Sequence, residues 1–398
     1  MRKDVFIVIV CAAAIFADVA ISGAVVPNVP VFADRFNAHE LSLGLATSAF
    51  SVVFLAAVIP FGVAVDRTGR SDLVLGIAMA SAAAAAVLFA FGNALWTYAA
   101  AQGFHGLGSA GAWVGGPPVA ARIAERRPRG GRAVNSVTVA LGLGLLLGPL
   151  LGSLSPAWLP FLILGAIALT VGLAALYSLA GITAEPELLT GMYRRLLQNP
   201  AILAAGALIL LLYAAIGMLE ILFPLYADGQ GISKPAIGLL FLLYAAFITA
   251  GEPVTGALLA RMRRGSLETA ALLVMAASLP ALVLTDGYGW WIGAFIVLGM
   301  ATAILVSGSM LTIAAESPPS ARGGAFAFWN MAFAVGFLLG PPVGGALSQL
   351  AGNGLSPDRF RVPFFSFAVL LILASPLVWL ALRPGSAAHL NSSTRRQP

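Results

Sequence analysis

Gly148-Pro149-Leu150-Leu151-Gly152 and Gly340-Pro341-Pro342-Val343-Gly344 are two versions of one string, and their first prolines lie 192 residues apart. A second pair keeps nearly that offset: Gly62-Val63-Ala64-Val65-Asp66-Arg67 and Gly256-Ala257-Leu258-Leu259-Ala260-Arg261 begin 194 residues apart. A near-constant offset spanning half of a 398-residue chain points to duplication of a whole structural unit. It predicts two equivalent halves, residues 1–182 and 200–383. Between them runs a polar linker, 183–199, and after them a tail, 384–398.

These halves lack the surface of soluble domains. Hydrophobic residues make up 60% of the chain and charged ones 10%, with a mean hydropathy of +0.94. A soluble domain carries about 25% charged residues. About 20 consecutive apolar residues cross a bilayer as a helix. By that measure twelve spans are predicted, six per half: 5–32, 41–65, 73–92, 94–121, 134–153, 157–180, 201–227, 236–260, 268–286, 290–314, 324–349 and 363–382. The fold class is therefore an all-α membrane protein, and the period-two alternation of a barrel is absent. The charged start runs into an apolar stretch too long for a signal peptide, so that stretch is read as the first span.

Charge orients the spans. With both termini cytoplasmic, eighteen of the twenty-two Lys and Arg residues fall on the cytoplasmic side, leaving Arg35, Lys234, Arg359 and Arg361 outside. This is the positive-inside asymmetry. It explains the net charge of +6 without nucleic acid as a partner, and makes the lipid bilayer the expected surroundings. One cysteine and three histidines leave no disulfide framework and no expected metal site or cofactor. Gly106-x-Gly108-x-x-Gly111 lies inside an apolar span and not after a strand, so it fails the context of a dinucleotide loop. His105 and Ser109 share a helix face but lack the third group and oxyanion donor of a hydrolase. No enzyme is expected.

The string Gly62-Val63-Ala64-Val65-Asp66-Arg67-Thr68-Gly69-Arg70 resembles the loop signature G-x-L-A-D-R-x-G-R of the major facilitator superfamily. Gly144-x-x-x-Gly148-Pro149-x-x-Gly152 resembles the antiporter signature in that family's fifth helix. Asp18 followed by Val25-Val26-Pro27-Asn28-Val29-Pro30, and Met218-Leu219-Glu220-Ile221-Leu222-Phe223-Pro224, look like the first and seventh helices of the vesicular amine branch of drug:proton antiporters. The resemblance implies the major facilitator fold, with a site near the midplane between two six-helix halves. It picks out Gly62, Asp66, Arg67, Gly69 and Arg70; just past the second span, Asp66 can cap a neighbouring helix N-terminus and pair with Arg67 or Arg70, a conformational latch. It assigns Gly144, Gly148, Pro149 and Gly152, with Gly340, Pro341 and Gly344 in the second half, to close helix packing and antiport. Where the family carries R-x-x-Q-G in helix four, this chain has Gln102-Gly103-Phe104-His105-Gly106, so the buried arginine is missing. The acids of helices ten and eleven become Ser307 and Asn330, and the helix-two lysine becomes Phe50.

Thirteen of the sixteen Asp and Glu residues fall in loops or at span ends, leaving Asp18, Glu220 and Glu252 within spans. A carboxylate there is costly and marks a pathway or relay. Measured from Pro27 and Pro224, Asp18 and Glu220 differ in depth by about 7 Å at about 1.5 Å per residue. They are the expected proton and substrate groups, with Glu220 nearer the outside for external protons and Asp18 for loading from inside. Glu252, nine residues before Arg261, is expected to be stabilised by that arginine. Asn28, Gln102, His105, Trp113, Tyr213, Tyr244, Ser307, Trp329 and Asn330 are candidate cavity-lining residues.

The expected function is proton-coupled antiport by alternating access. A functional monomer in a bacterial cytoplasmic membrane would export small, amphipathic, cationic compounds, as in multidrug or amine efflux. An exporter or symporter of a neutral sugar or metabolite is the alternative. A transport-inactive sensor would need a soluble output domain, for which no internal loop is long enough.

Overall fold

In the computed structural model the described residues are 2–125, 131–179, 198–259, 261, 265–285, 287–317, 322–352 and 358–382. Their regular structure is helical throughout: α1 (Arg2–Val25), α2 (Val29–Phe36), α3 (Glu40–Thr68), α4 (Ser71–Phe91), α5 (Leu95–Gly115), α6 (Pro117–Glu125), α7 (Gly131–Gly152), α8 (Leu159–Ser178), α9 (Pro200–Gly229), α10 (Lys234–Leu259), α11 (Ser266–Leu284), α12 (Tyr288–Glu316), α13 (Arg322–Ala351) and α14 (Asp358–Leu382). Of the predicted linker only Gln198 and Asn199 are described, and the tail 384–398 lies outside the described residues.

Eleven helical segments among the described residues are long and apolar enough to cross a membrane. The predicted fourth span is not one of them, because Gln102, His105 and five glycines dilute the hydropathy of α5. Its 21 residues still reach about 30 Å at about 1.5 Å per residue.

The first predicted span is broken. Pro27 and Pro30 carry no N–H, so the helix leaves off at Val25, passes through one 3-10 turn at Val26–Asn28 and resumes as α2. Asn28 fills the break: its amide nitrogen donates to Ala24 O at 2.8 Å and to Gly152 O at 2.7 Å. Lys234 Nζ donates to Asn28 Oδ1 at 3.3 Å and to Leu154 O at 2.6 Å. Arg35 on α2 caps the carboxyl end of α4, donating to Phe89 O at 3.2 Å and Ala90 O at 3.3 Å. A cation suits that end of the helix dipole.

By contacts, the described chain forms two compact units, Met1–Glu187 with Glu220–Leu242, and Leu188–Leu219 with Leu243–Pro398. In the first, α1 packs on α7, α8 and α5, while α4 packs on α5 and α8. In the second, α11 packs on α14 and α12.

Glycines set the tightest approaches. A Cβ on Gly148 would stand 2.9 Å from Ala20 O, one on Gly152 2.5 Å from Ala24 O, and one on Gly23 2.8 Å from the Pro149 ring. The α1–α7 seam is thus backbone against backbone. The second unit repeats it, with Gly340 against Ala214 O and Gly336 against Leu210 O. A second seam also recurs, Gly106 against Phe50 O and Gly299 against Tyr244 O. The duplication visible in the strings is therefore a duplication of contacts.

Candidate functional site

Tyr98, Gln102, His105, Ser109 and Trp113 fall at intervals of three or four along α5, which places them on one face. Towards the start of the helix the stripe closes on α3: Gln102 Nε2 donates to Tyr98 Oη at 3.0 Å, and Tyr98 Oη meets Thr47 Oγ1 at 3.1 Å. The rest of the stripe closes on Asp18.

Asp18 is 3% exposed. Its Oδ2 accepts from Ser109 Oγ at 3.0 Å and from Trp113 Nε1 at 3.1 Å. His105 Nε2 lies 3.1 Å from the main-chain oxygen of Asp18 and 3.2 Å from Oδ1. A carbonyl oxygen only accepts, so Nε2 carries a hydrogen. That hydrogen serves the carbonyl, and Oδ1 is buried with no hydrogen bond of its own. The carboxylate therefore has one satisfied oxygen and one bare one. His105 is itself buried, with the Phe50 ring centroid 5.1 Å from its own. On its other side α1 is held by the glycine seam of α7, so the helix carrying Asp18 is fixed from behind.

Glu220 on α9 is in a different state. It is half-buried, and among the described residues no hydrogen bond or ion pair reaches it. Within the second unit, Tyr213 lies edge-on to Phe333 with centroids 4.5 Å apart, and Trp329 Nε1 donates to Ser309 Oγ at 2.9 Å. Ser309, not the predicted Ser307, makes that bond. Tyr244 Oη meets Thr302 Oγ1 at 3.0 Å. Asn330 turns back to Phe326 O, 3.0 Å away on its own helix.

Several expectations change. Asn28 is a fully buried structural bridge across the break after α1, with no exposed surface for lining a cavity. Gln102 and Tyr244 are buried with their bonds internal. Arg70 pairs with Asp72 and not with Asp66, through Nε at 2.8 Å and Nη2 at 2.8 Å. Asp72 stands in the first turn of α4, where the helix dipole favours its charge. Gly69 closes α3 with φ of 66°, while a Cβ on Gly62 would meet nothing within 4 Å. Glu252 forms no ion pair with Arg261. Ser109 went unassigned in the sequence as a partner of Asp18, although its place between His105 and Trp113 at steps of four was the signal. Among the described residues no group of three or more His, Cys, Asp or Glu side chains is placed to hold a metal ion.

Comparison with known proteins bears on the family and the fold. The human chromaffin granule amine transporter is 30% identical over 276 residues, 67% of this chain and 52% of its own length. The chain thus spans about half the length of that relative. A bacterial homolog of the human lysosomal transporter Spinster, solved inward-facing and unoccupied, superposes with a TM-score of 0.80 at 14% identity, covering 95% of this chain and 97% of its own. The nucleoside transporter NupG gives 0.78 at 14%, covering 96% and 99%. The profile of the Major Facilitator Superfamily matches residues 9–316 and 205–398, and the chain belongs to that family of membrane transporters.

Proposed function

We propose that the chain is a proton-coupled antiporter that exports small amphipathic cations by alternating access. The observation that carries this reading is Asp18: an acid 3% exposed, inside a span, with one oxygen lacking a hydrogen bond. An oxygen in that state has acceptor capacity left for a proton or a cation. Glu220, an acid without a hydrogen-bond or ion-pair partner among the described residues, on the first helix of the second half, supplies the other site. Exchange follows when the two sites compete through one conformational cycle. The amine transporter among the relatives supports a cationic substrate. The remaining features of the reading are halves at 1–182 and 200–383, a functional monomer, both termini in the cytoplasm and a bacterial cytoplasmic membrane. The Asp66 loop with Arg67 and Arg70 is proposed to bias which side is open.

The test uses the full chain in sealed vesicles, an imposed pH gradient, and a panel of ethidium, aromatic amines and aliphatic amines. At least one member is expected to accumulate against its gradient and to stop doing so when the pH gradient is collapsed. Accumulation indifferent to the gradient, or confined to neutral sugars and nucleosides added to the panel, overturns the reading.

A further inference from the structure

We propose that the two acids divide the work, Asp18 with His105 storing the coupling proton and Glu220 seating the exported cation. This rests on the antiporter reading and reverses the allocation expected from depth alone.

The argument starts from what each carboxylate has left to offer. Ser109 and Trp113 occupy Oδ2 of Asp18, at 3.0 and 3.1 Å. An ammonium arriving there would have to displace two donors in a site 3% exposed. A proton needs no such room. The bare Oδ1 lies 3.2 Å from His105 Nε2, within reach of a single transfer. The step balances within the pair. A proton taken at His105 Nδ1 makes the imidazolium, and Nε2 turns its hydrogen from the Asp18 carbonyl to Oδ1 and gives it up. The products are a carboxylic acid and a neutral imidazole protonated at Nδ1. Reversal returns the proton by the same path.

Of the described ionisable side chains on the helices packed against α1, His105 is the one placed against Asp18. Tyr98 on α5 is bonded to Thr47 and Gln102, and Asp72 on α4 is held by Arg70. Arg122 on α6 and Tyr177 on α8 have no recorded bond to Asp18.

Glu220 offers the complement. It is half-buried and has no donor among the described residues, so the acceptor capacity of its oxygens is left for an ammonium that brings its own hydrogens. A cation seated there loses water but gains a charge-assisted bond, and displaces nothing.

The experiment uses the full chain in nanodiscs and whichever amine of the panel the wild type accumulates. Binding is read by calorimetry in buffers of different ionisation enthalpy, which counts protons released per amine bound. Asp18→Asn is expected to lose proton release and uphill transport while still binding amine and exchanging it for amine without a pH gradient. Glu220→Gln is expected to bind about tenfold more weakly or worse, and to lose both modes. His105→Gln leaves Asp18 and its Oδ2 donors in place; it is expected to slow proton-driven transport and flatten its pH profile, with amine exchange kept. It also serves if Asp18→Asn does not fold. The opposite pattern, with Asp18→Asn abolishing binding or Glu220→Gln abolishing proton release while binding persists, overturns the division. So does a wild-type pH profile in His105→Gln. A wild type that accumulates no amine removes the antiporter reading itself, a result distinct from either.

Discussion

Asp18 and Glu220 occupy equivalent helices of a duplicated chain, yet one is clasped and the other is bare. Asp18 has α5 on one side with three donors, and behind it α1 meets α7 at close main-chain approaches through Gly148 and Gly152. Glu220 has no recorded donor, although its helix rests on a matching glycine seam through Gly336 and Gly340. Duplication has preserved the backbone contacts and changed the polar partners. The polar stripes differ as well: Tyr98, Gln102, His105, Ser109 and Trp113 line one face of α5, whereas the equivalent α12 gives Thr302 to Tyr244 and Ser309 to Trp329.

The comparison breaks most completely at the seam. Gly148→Leu would drive a branched side chain into Ala20 O and Gly23, and overpacking costs about 1–3 kcal/mol even where side chains yield. Backbone yields less, so the variant is expected to lose both folded yield on size exclusion and transport. Gly62→Ala is the control, since nothing lies within 4 Å; it is expected to match or slightly exceed the wild type in thermal stability. A stable, active Gly148→Leu would show that α1 is not fixed from behind.

Asn28→Ala comes next. It strips donors from Ala24 O and Gly152 O and an acceptor from Lys234, an expected loss of about 1–3 kcal/mol in unfolding by denaturant. Amine binding in the surviving fraction should be close to wild type, which separates the break in the first span from the site. Impaired binding at full stability would put Asn28 back among the cavity residues.

Ser109→Ala and Trp113→Phe sharpen the contrast between the acids. Each removes one donor from Oδ2, worth about 1.5–3 kcal/mol when the acceptor is charged. The loss should be smaller in an Asp18→Asn background, where the acceptor is no longer a carboxylate. Equal losses in the two backgrounds would mean that the donors only pack. The smallest effect is expected of Arg70→Gln: the arginine side chain is 50% exposed and its bond to Asp72 is screened by solvent, so thermal unfolding should be nearly unchanged.

What could be read from the sequence was what depends on one helix at a time. Apolar length gave the spans, the offset of the Gly-Pro strings gave the duplication, and the cost of charge in lipid singled out Asp18 and Glu220. What escaped depends on how one helix is rotated against another. Ser109 and Trp113 sit four residues apart in plain view, but only the packing of α1 on α5 turns that face towards Asp18. Asp66 and Asp72 both lie within a few residues of Arg70, and the choice between them is made by where α4 begins. Asn28 looked like a polar residue in search of a ligand because its true partner, Gly152, is 124 positions away.

The glycine seam gives α1 a hard side and a soft side. Towards α7 the closest approaches are main chain on main chain, with the Val19 methyls and the Pro149 ring beside them, so little side chain is there to retune and the two helices are keyed together as one plank. Towards α5 every contact with Asp18 ends in a hydroxyl, an indole or an imidazole, each able to swing about its own bonds. Retuning this protein by selection or by design should therefore accumulate changes along α5 and leave α7 nearly untouched, the hinge material being on one side of the plank only.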